Sequence, residues 1–98
     1  MKDIRYERLA DNLINYSVKL KKDERILIEY RGVAVDLVKE LVKKAYEAGG
    51  LPFVKQSDEQ VSSLLLKDIT EGQLEIMNEN TLSLMKEMDA YISIRASD

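Results

Sequence analysis

Apolar positions along this chain repeat with two alternating periods. Tyr6, Leu9, Leu13, Tyr16 and Leu20 recur at helical spacing, which predicts a first helix from about Ile4 to Leu20 with these residues on its buried face. Asp3 suits its N-cap, and Lys19, Lys21 and Lys22 suit the negative end of its dipole. Asp23-Glu24 then turns the chain into Arg25-Ile26-Leu27-Ile28-Glu29-Tyr30. Three consecutive apolar residues predict a strand buried on both faces, as in a parallel sheet. Ala34, Leu37, Val38, Leu41, Val42, Ala45 and Ala48 form the apolar stripe of a second helix. Asp36, Lys39, Glu40, Lys43, Lys44 and Glu47 fall on its wet side, spaced for local ion pairs. Gly49-Gly50 supplies a left-handed stop.

Leu51-Pro52-Phe53-Val54-Lys55 reads as a second strand. Pro52 has no amide donor, which confines it to a strand start or a sheet edge. Ser57 with Gln60 has capping-box spacing and predicts a third helix burying Val61, Leu64 and Leu65. Leu66 is left facing outward, where it can meet a second domain or subunit. Thr70 with Gln73 repeats the box and opens a fourth helix, predicted to bury Leu74, Met77, Thr81, Leu84 or Met85, and Met88. Tyr91-Ile92-Ser93-Ile94 is the third strand.

Strands separated by helices need crossovers, so the sheet is predicted to be parallel with right-handed connections. The first strand is expected in the centre, giving the order 2-1-3. The expected fold is therefore α/β: a three-stranded parallel sheet flanked by about four helices, half of a doubly wound, Rossmann-like fold. Residues 1–98 are read as one domain. The stop four residues past the third strand predicts a truncated N-terminal domain of a longer protein.

Composition narrows the chemistry. With 15 basic and 18 acidic residues the net charge is −3, so the basic footprint of a nucleic-acid binder is missing. No apolar run approaches the roughly 20 residues of a membrane span. The charged N-terminus has no signal-peptide pattern, and a cytoplasmic location is the expectation. Cysteine and histidine are both absent, which removes thiolate ligands, the commonest general base and the commonest metal ligand. In an open α/β sheet, ligands bind beyond the carboxyl ends of the strands. Arg31-Gly32-Val33, Gln56-Ser57-Asp58 and Arg95-Ala96-Ser97-Asp98 lie there. The first lacks the glycine fingerprint of a dinucleotide site and the lysine of a P-loop, although a helix N-terminus can hold an anion weakly. Ser57-Asp58-Glu59 has no histidine to complete a triad. Asp58, Glu59 and Asp98 would be cation ligands only if they converged.

Taken in order, several segments resemble the start of the thermophilic-type metallo-aminopeptidases, the aminopeptidase T and aminopeptidase S family. They are Leu9-Ala10 through Asn15-Tyr16-Ser17, Glu24 through Glu29, Leu37-Val38 with Ala45-Tyr46-Glu47-Ala48-Gly49, Leu51 through Val54, and Asp89 through Arg95. Lys22-Asp23-Glu24 departs from the family's Pro-Gly-Glu-like turn. The resemblance implies a parent hydrolase that removes N-terminal amino acids from peptides with two divalent metal ions of the zinc or cobalt type. It implies ligands (glutamates, histidines, a tyrosine and an aspartate) in a later catalytic domain. No position here matches them, so no catalytic, cofactor-binding or metal residue is assigned to this chain. What the resemblance carries over is a role: a first domain that walls the substrate chamber, partners the C-terminal catalytic domain and supports a homodimer, with no nucleic-acid or membrane partner and no activity alone. The alternative is a free-standing small-molecule or nucleotide-binding module, resting on the half doubly wound order and the Arg31-Gly32 turn, or a protein-interaction module that dimerises through its open sheet edge or the Leu66 surface.

Overall fold

The computed structural model describes residues 4–32 and 35–95. Asp3, Val33, Ala34 and Ala96-Ser97-Asp98 lie outside the described residues. The chain runs α1 (Ile4–Asn12), a π-helical turn (Leu13–Ser17), β1 (Arg25–Arg31), α2 (Val35–Glu47), β2 (Leu51–Ser57), α3 (Glu59–Lys67), α4 (Glu71–Lys86) and β3 (Ala90–Arg95). The three strands form one parallel sheet in the order β2-β1-β3, as the alternation of periods implies.

The strand period of two sorts the sheet into two faces. Ile26, Ile28 and Tyr30 of β1 and Ile92 of β3 join Val38, Leu41 and Ala45 of α2, and Ala10, Ile14 and Leu20 before β1, in one buried cluster. On the opposite face, Leu27 is buried with Phe53 and Tyr91 as its register partners. β1 is thus apolar on both sides because it is the central strand, and β2 takes the edge where Pro52 loses no ladder bond.

The first helix corrects the periodicity. Tyr6, Leu9 and Tyr16 are exposed and Leu13 is half-buried, while Ala10 and Ile14 are fully buried. The α-helix ends at Asn12, and the wider π-turn bonds Val18 N–H to the Leu13 carbonyl at 2.9 Å. That turn breaks the 3.6-residue register beyond Leu13, while within α1 the buried face already falls on Ala10 and not on Tyr6 or Leu9. α1 packs on α2, and the buried small residues Ala10 and Ala45 permit close approach of the two helices.

The Lys22-Asp23-Glu24 turn is firmly tied. Asp23 occupies the left-handed region at φ 66°, which aspartate tolerates better than most residues. Its N–H donates to the Gly49 carbonyl at 2.8 Å, and Leu51 N–H donates to the Glu24 carbonyl at 2.7 Å. Gly49, at φ 85°, ends α2 as a left-handed cap. Glu40 departs from its predicted wet side. It is only 5% exposed, with the Lys43 ammonium 3.6 Å from its Oε1. The helix rotates it inward beside Leu41.

The second half of the chain departs most from its hydrophobic pattern. Ser57 is the last residue of β2, and Asp58 caps α3, its Oδ1 accepting from Val61 N–H at 3.0 Å. Val61, Leu64 and Leu65 are not buried; Leu64 is 74% exposed, and Leu66 also faces solvent. In α4, Leu74, Met77, Thr81 and Met85 are exposed and Leu84 is half-buried, as is Met88, which lies past the helix end at Lys86. The sheet face on this side explains the difference. Below the Phe53–Leu27–Tyr91 row it carries Arg25 beside the edge residue Leu51, and above it come Glu29 and Lys55, then Arg31 and Arg95. One apolar row cannot cover two amphipathic helices. The radius of gyration is 15.1 Å, against about 13 Å for a compact domain of this length.

α4 nevertheless keeps its expected start. The Thr70 hydroxyl accepts from Gln73 N–H at 3.2 Å and the Gln73 Oε1 accepts from Thr70 N–H at 3.0 Å. Thr70→Ala is expected to cost about 0.5–2 kcal/mol locally. Because α4 contributes no residue to the buried cluster, the loss should appear as faster amide exchange in its first turn. The midpoint of global unfolding should move little.

Candidate functional site

The carboxyl end of the sheet is built by register. Arg31 closes β1, with Ser57 of β2 opposite it on one side and Arg95 of β3 opposite it on the other. Gly32 follows at φ 79°, a conformation glycine adopts at little cost, and turns the chain toward α2. One ladder step below, Glu29 accepts a hydrogen bond from the Tyr91 hydroxyl at 3.3 Å. The Arg31-Gly32 turn, Ser57 and Arg95 are thus brought together. The Asp58 carboxylate is engaged in capping α3, and Asp98 lies outside the described residues.

The amino end of the sheet is tied down rather than open. Arg25 Nη1 lies 2.7 Å from Glu87 Oε2, Arg25 N–H donates to Asp89 Oδ2 at 2.9 Å, and Asp89 N–H donates back to the Arg25 carbonyl at 2.8 Å. These contacts set β3 beside β1. Being exposed, the Arg25–Glu87 pair contributes little stability, and Glu87→Gln is expected to change it by less than about 1 kcal/mol in urea unfolding.

Two concavities lie elsewhere. One, of about 300 Å³, is lined by Ile4, Glu7, Arg8, Asp11 and Lys44. Its charges are largely paired: the Lys44 ammonium is 3.3 Å from Glu47 and 3.8 Å from Glu7. The hydrogen bond to Glu47, aided by the charges of Glu47, Glu7 and Asp11, holds the Lys44 ammonium above the ordinary lysine range. The other, of about 420 Å³, lies between Lys55 and Met77, Asn80, Thr81 and Leu84 of α4. It is the gap left where α4 stands over the sheet.

Among the described residues no group of three or more aspartates, glutamates, histidines or cysteines is placed to hold a metal ion. The sequence has no histidine, one of the ligand types that the family resemblance implies for the metal pair. Among the described residues no helix is long and apolar enough to cross a membrane.

The family model for thermophilic metalloproteases (M29) matches residues 2–98. The chain belongs to this family. A solved structure, wild-type AmpT from Thermus thermophilus, superposes with a TM-score of 0.74 at 26% identity, covering 97% of this chain and 25% of that one. This M29 chain therefore spans about a quarter of the length of the structure it matches. No curated protein matches it. The M29 assignment agrees with the resemblance carried by Glu24 through Glu29 and Asp89 through Arg95. Those segments are β1, the central strand, and β3 beside it, with the turns that lead into them.

Proposed function

We propose that this chain is the N-terminal, non-catalytic domain of a metal-dependent aminopeptidase that removes N-terminal amino acids from peptides. In that role it walls the substrate chamber, partners a C-terminal catalytic domain that holds the two divalent metals, and supports a homodimer in the cytoplasm. The observation that carries the proposal is the family match over residues 2–98 by a chain one quarter the length of AmpT. In this reading the reacting atoms sit in another part of the parent, which is supported by the lack of any group of three or more candidate metal ligands among the described residues. A wall would act by excluding water and orienting the peptide, not by moving protons.

The exposed apolar surface of α3 and α4 supports the partnership. Val61, Leu64, Ile76 and Leu82 are each more than half exposed, a concentration that favours burial against further polypeptide. Sedimentation velocity tests the dimer. Self-association at tens of micromolar that is lost in Leu64→Glu or Ile76→Glu is expected if these helices carry it. A monomer at every concentration would remove dimerisation from the proposal.

A further inference from the structure

We propose that the carboxyl end of the sheet between β1 and β3 is an oxyanion-binding site, with Arg31 and Arg95 as its paired donors and Ser57 at its flank. This goes beyond the wall role and does not depend on it.

Two independent observations point there. The first is electrostatic. Arg31 and Arg95 are direct register partners on adjacent parallel strands, so their Cα atoms are separated by about one strand spacing of 4.8 Å. The strand period sends both side chains to the same sheet face. Like charges placed directly opposite each other destabilise a sheet. No carboxylate among the described residues lies in salt-bridge contact with either. The nearest acid in the ladder, Glu29, is hydrogen-bonded to Tyr91. A bound oxyanion would turn this repulsion into two charge-assisted contacts, and guanidinium pairs suit carboxylate and phosphate oxygens by their planar donor forks.

The second observation is topological. With the order β2-β1-β3, the chain leaves β1 toward β2 on one side, and β3 lies on the other. The strand order thus reverses at the crevice between β1 and β3, the position where open α/β sheets of this order bind ligands beyond their strand ends. α2 begins at Val35, four residues past Arg31, so its N-terminal dipole lies at this same end. Gly32, at φ 79°, keeps the backbone beside Arg31 free of a side chain. Ser57 adds a hydroxyl from the third strand. Such an arrangement suits one small bidentate oxyanion, either a phosphate group or the carboxylate of a short peptide.

Proton–nitrogen NMR titration of the 98-residue chain at low ionic strength tests the site. Its probes are inorganic phosphate, an N-acetylated dipeptide, and the same dipeptide as its C-terminal amide. Saturating shifts are expected at Arg31, Gly32 and Arg95, with the amide form inert. Arg31→Gln and Arg95→Gln should each weaken binding at least about tenfold, the scale of a charge-assisted hydrogen bond. Arg31→Lys keeps the charge but loses the fork and should also weaken it, whereas Lys55→Gln should not. In parallel, phosphate should raise the melting temperature of the parent chain more than that of Arg95→Gln. Saturation by phosphate alone identifies a phosphate-type ligand, and saturation by the free dipeptide alone identifies a peptide carboxylate; either supports the site. Shifts spread over all cationic residues and unchanged in Arg31→Gln, or no shift with any probe, would overturn it.

Discussion

Leu41→Ala is expected to destabilise the chain by about 2–5 kcal/mol, while Leu64→Ala changes its stability by less than about 0.5 kcal/mol. Both are leucines on amphipathic helices of the same chain. Leu41 is fully buried between α2 and the sheet, beside Ile28 and Ala45. Removing its branched end leaves a cavity that close-packed neighbours fill only in part. Leu64 already meets water over most of its surface, so its truncation returns little apolar area to solvent. Urea unfolding of the two variants, compared at a common slope, measures the contrast. Equal losses would mean that α3 packs onto the fold, contrary to its exposure.

Gly50→Ala is expected to cost about 1–3 kcal/mol through overpacking. A β-carbon built on Gly50 would run into Leu20 Cδ2, lie 2.9 Å from Leu20 Cγ and sit 3.3 Å from the Ala45 carbonyl oxygen. Leu20 is itself in the buried cluster, so it cannot swing away into water without opening that cluster. The Gly50 amide also donates to the same Ala45 carbonyl at 2.9 Å, which pins the backbone against retreat. Adding Leu20→Ala to Gly50→Ala tests the cause. The double variant should lose less stability than the sum of the two single losses, because one substitution vacates the space the other needs. Strict additivity would show that the clash is relieved elsewhere.

The sheet was legible in the sequence because its signals are short-range and redundant. Ile26-Leu27-Ile28 announces a strand covered on both faces, Pro52 an edge, and the α2 stripe ending at Gly49 a helix lying on that sheet. Crossover rules then leave few orders for three parallel strands. Periodicity failed where it had to name a partner. Val61, Leu64 and Leu65 do form one helical face, yet a pattern states that a face is apolar and not what covers it. The Arg25, Glu29, Lys55, Arg31 and Arg95 positions under α3 and α4 become visible as one polar surface only when register is known. In α1 the small Ala10 is buried and the larger Tyr6 and Leu9 are exposed, so choosing the face by its largest apolar residues sets it one position off. Likewise Asp58, and not its neighbour Ser57, caps α3, because β2 extends through Ser57 and leaves that residue in the ladder opposite Arg31.

The carboxyl-end loops were recognisable as the place to look, from the topology alone. That Arg31 and Arg95 become neighbours could not be read, because they are separated by most of the chain and only the parallel register joins them. What was absent could be read directly: without histidine or cysteine, few donor sets remain for a hydrolytic metal pair.

The most direct measurement is release of nitroaniline from aminoacyl-nitroanilide substrates by the purified chain, with zinc or cobalt added. No turnover above the metal-only blank is expected at any metal concentration, as the proposed non-catalytic role requires. Metal-dependent turnover that copurifies with these 98 residues would contradict it, and would place the reacting groups inside this domain.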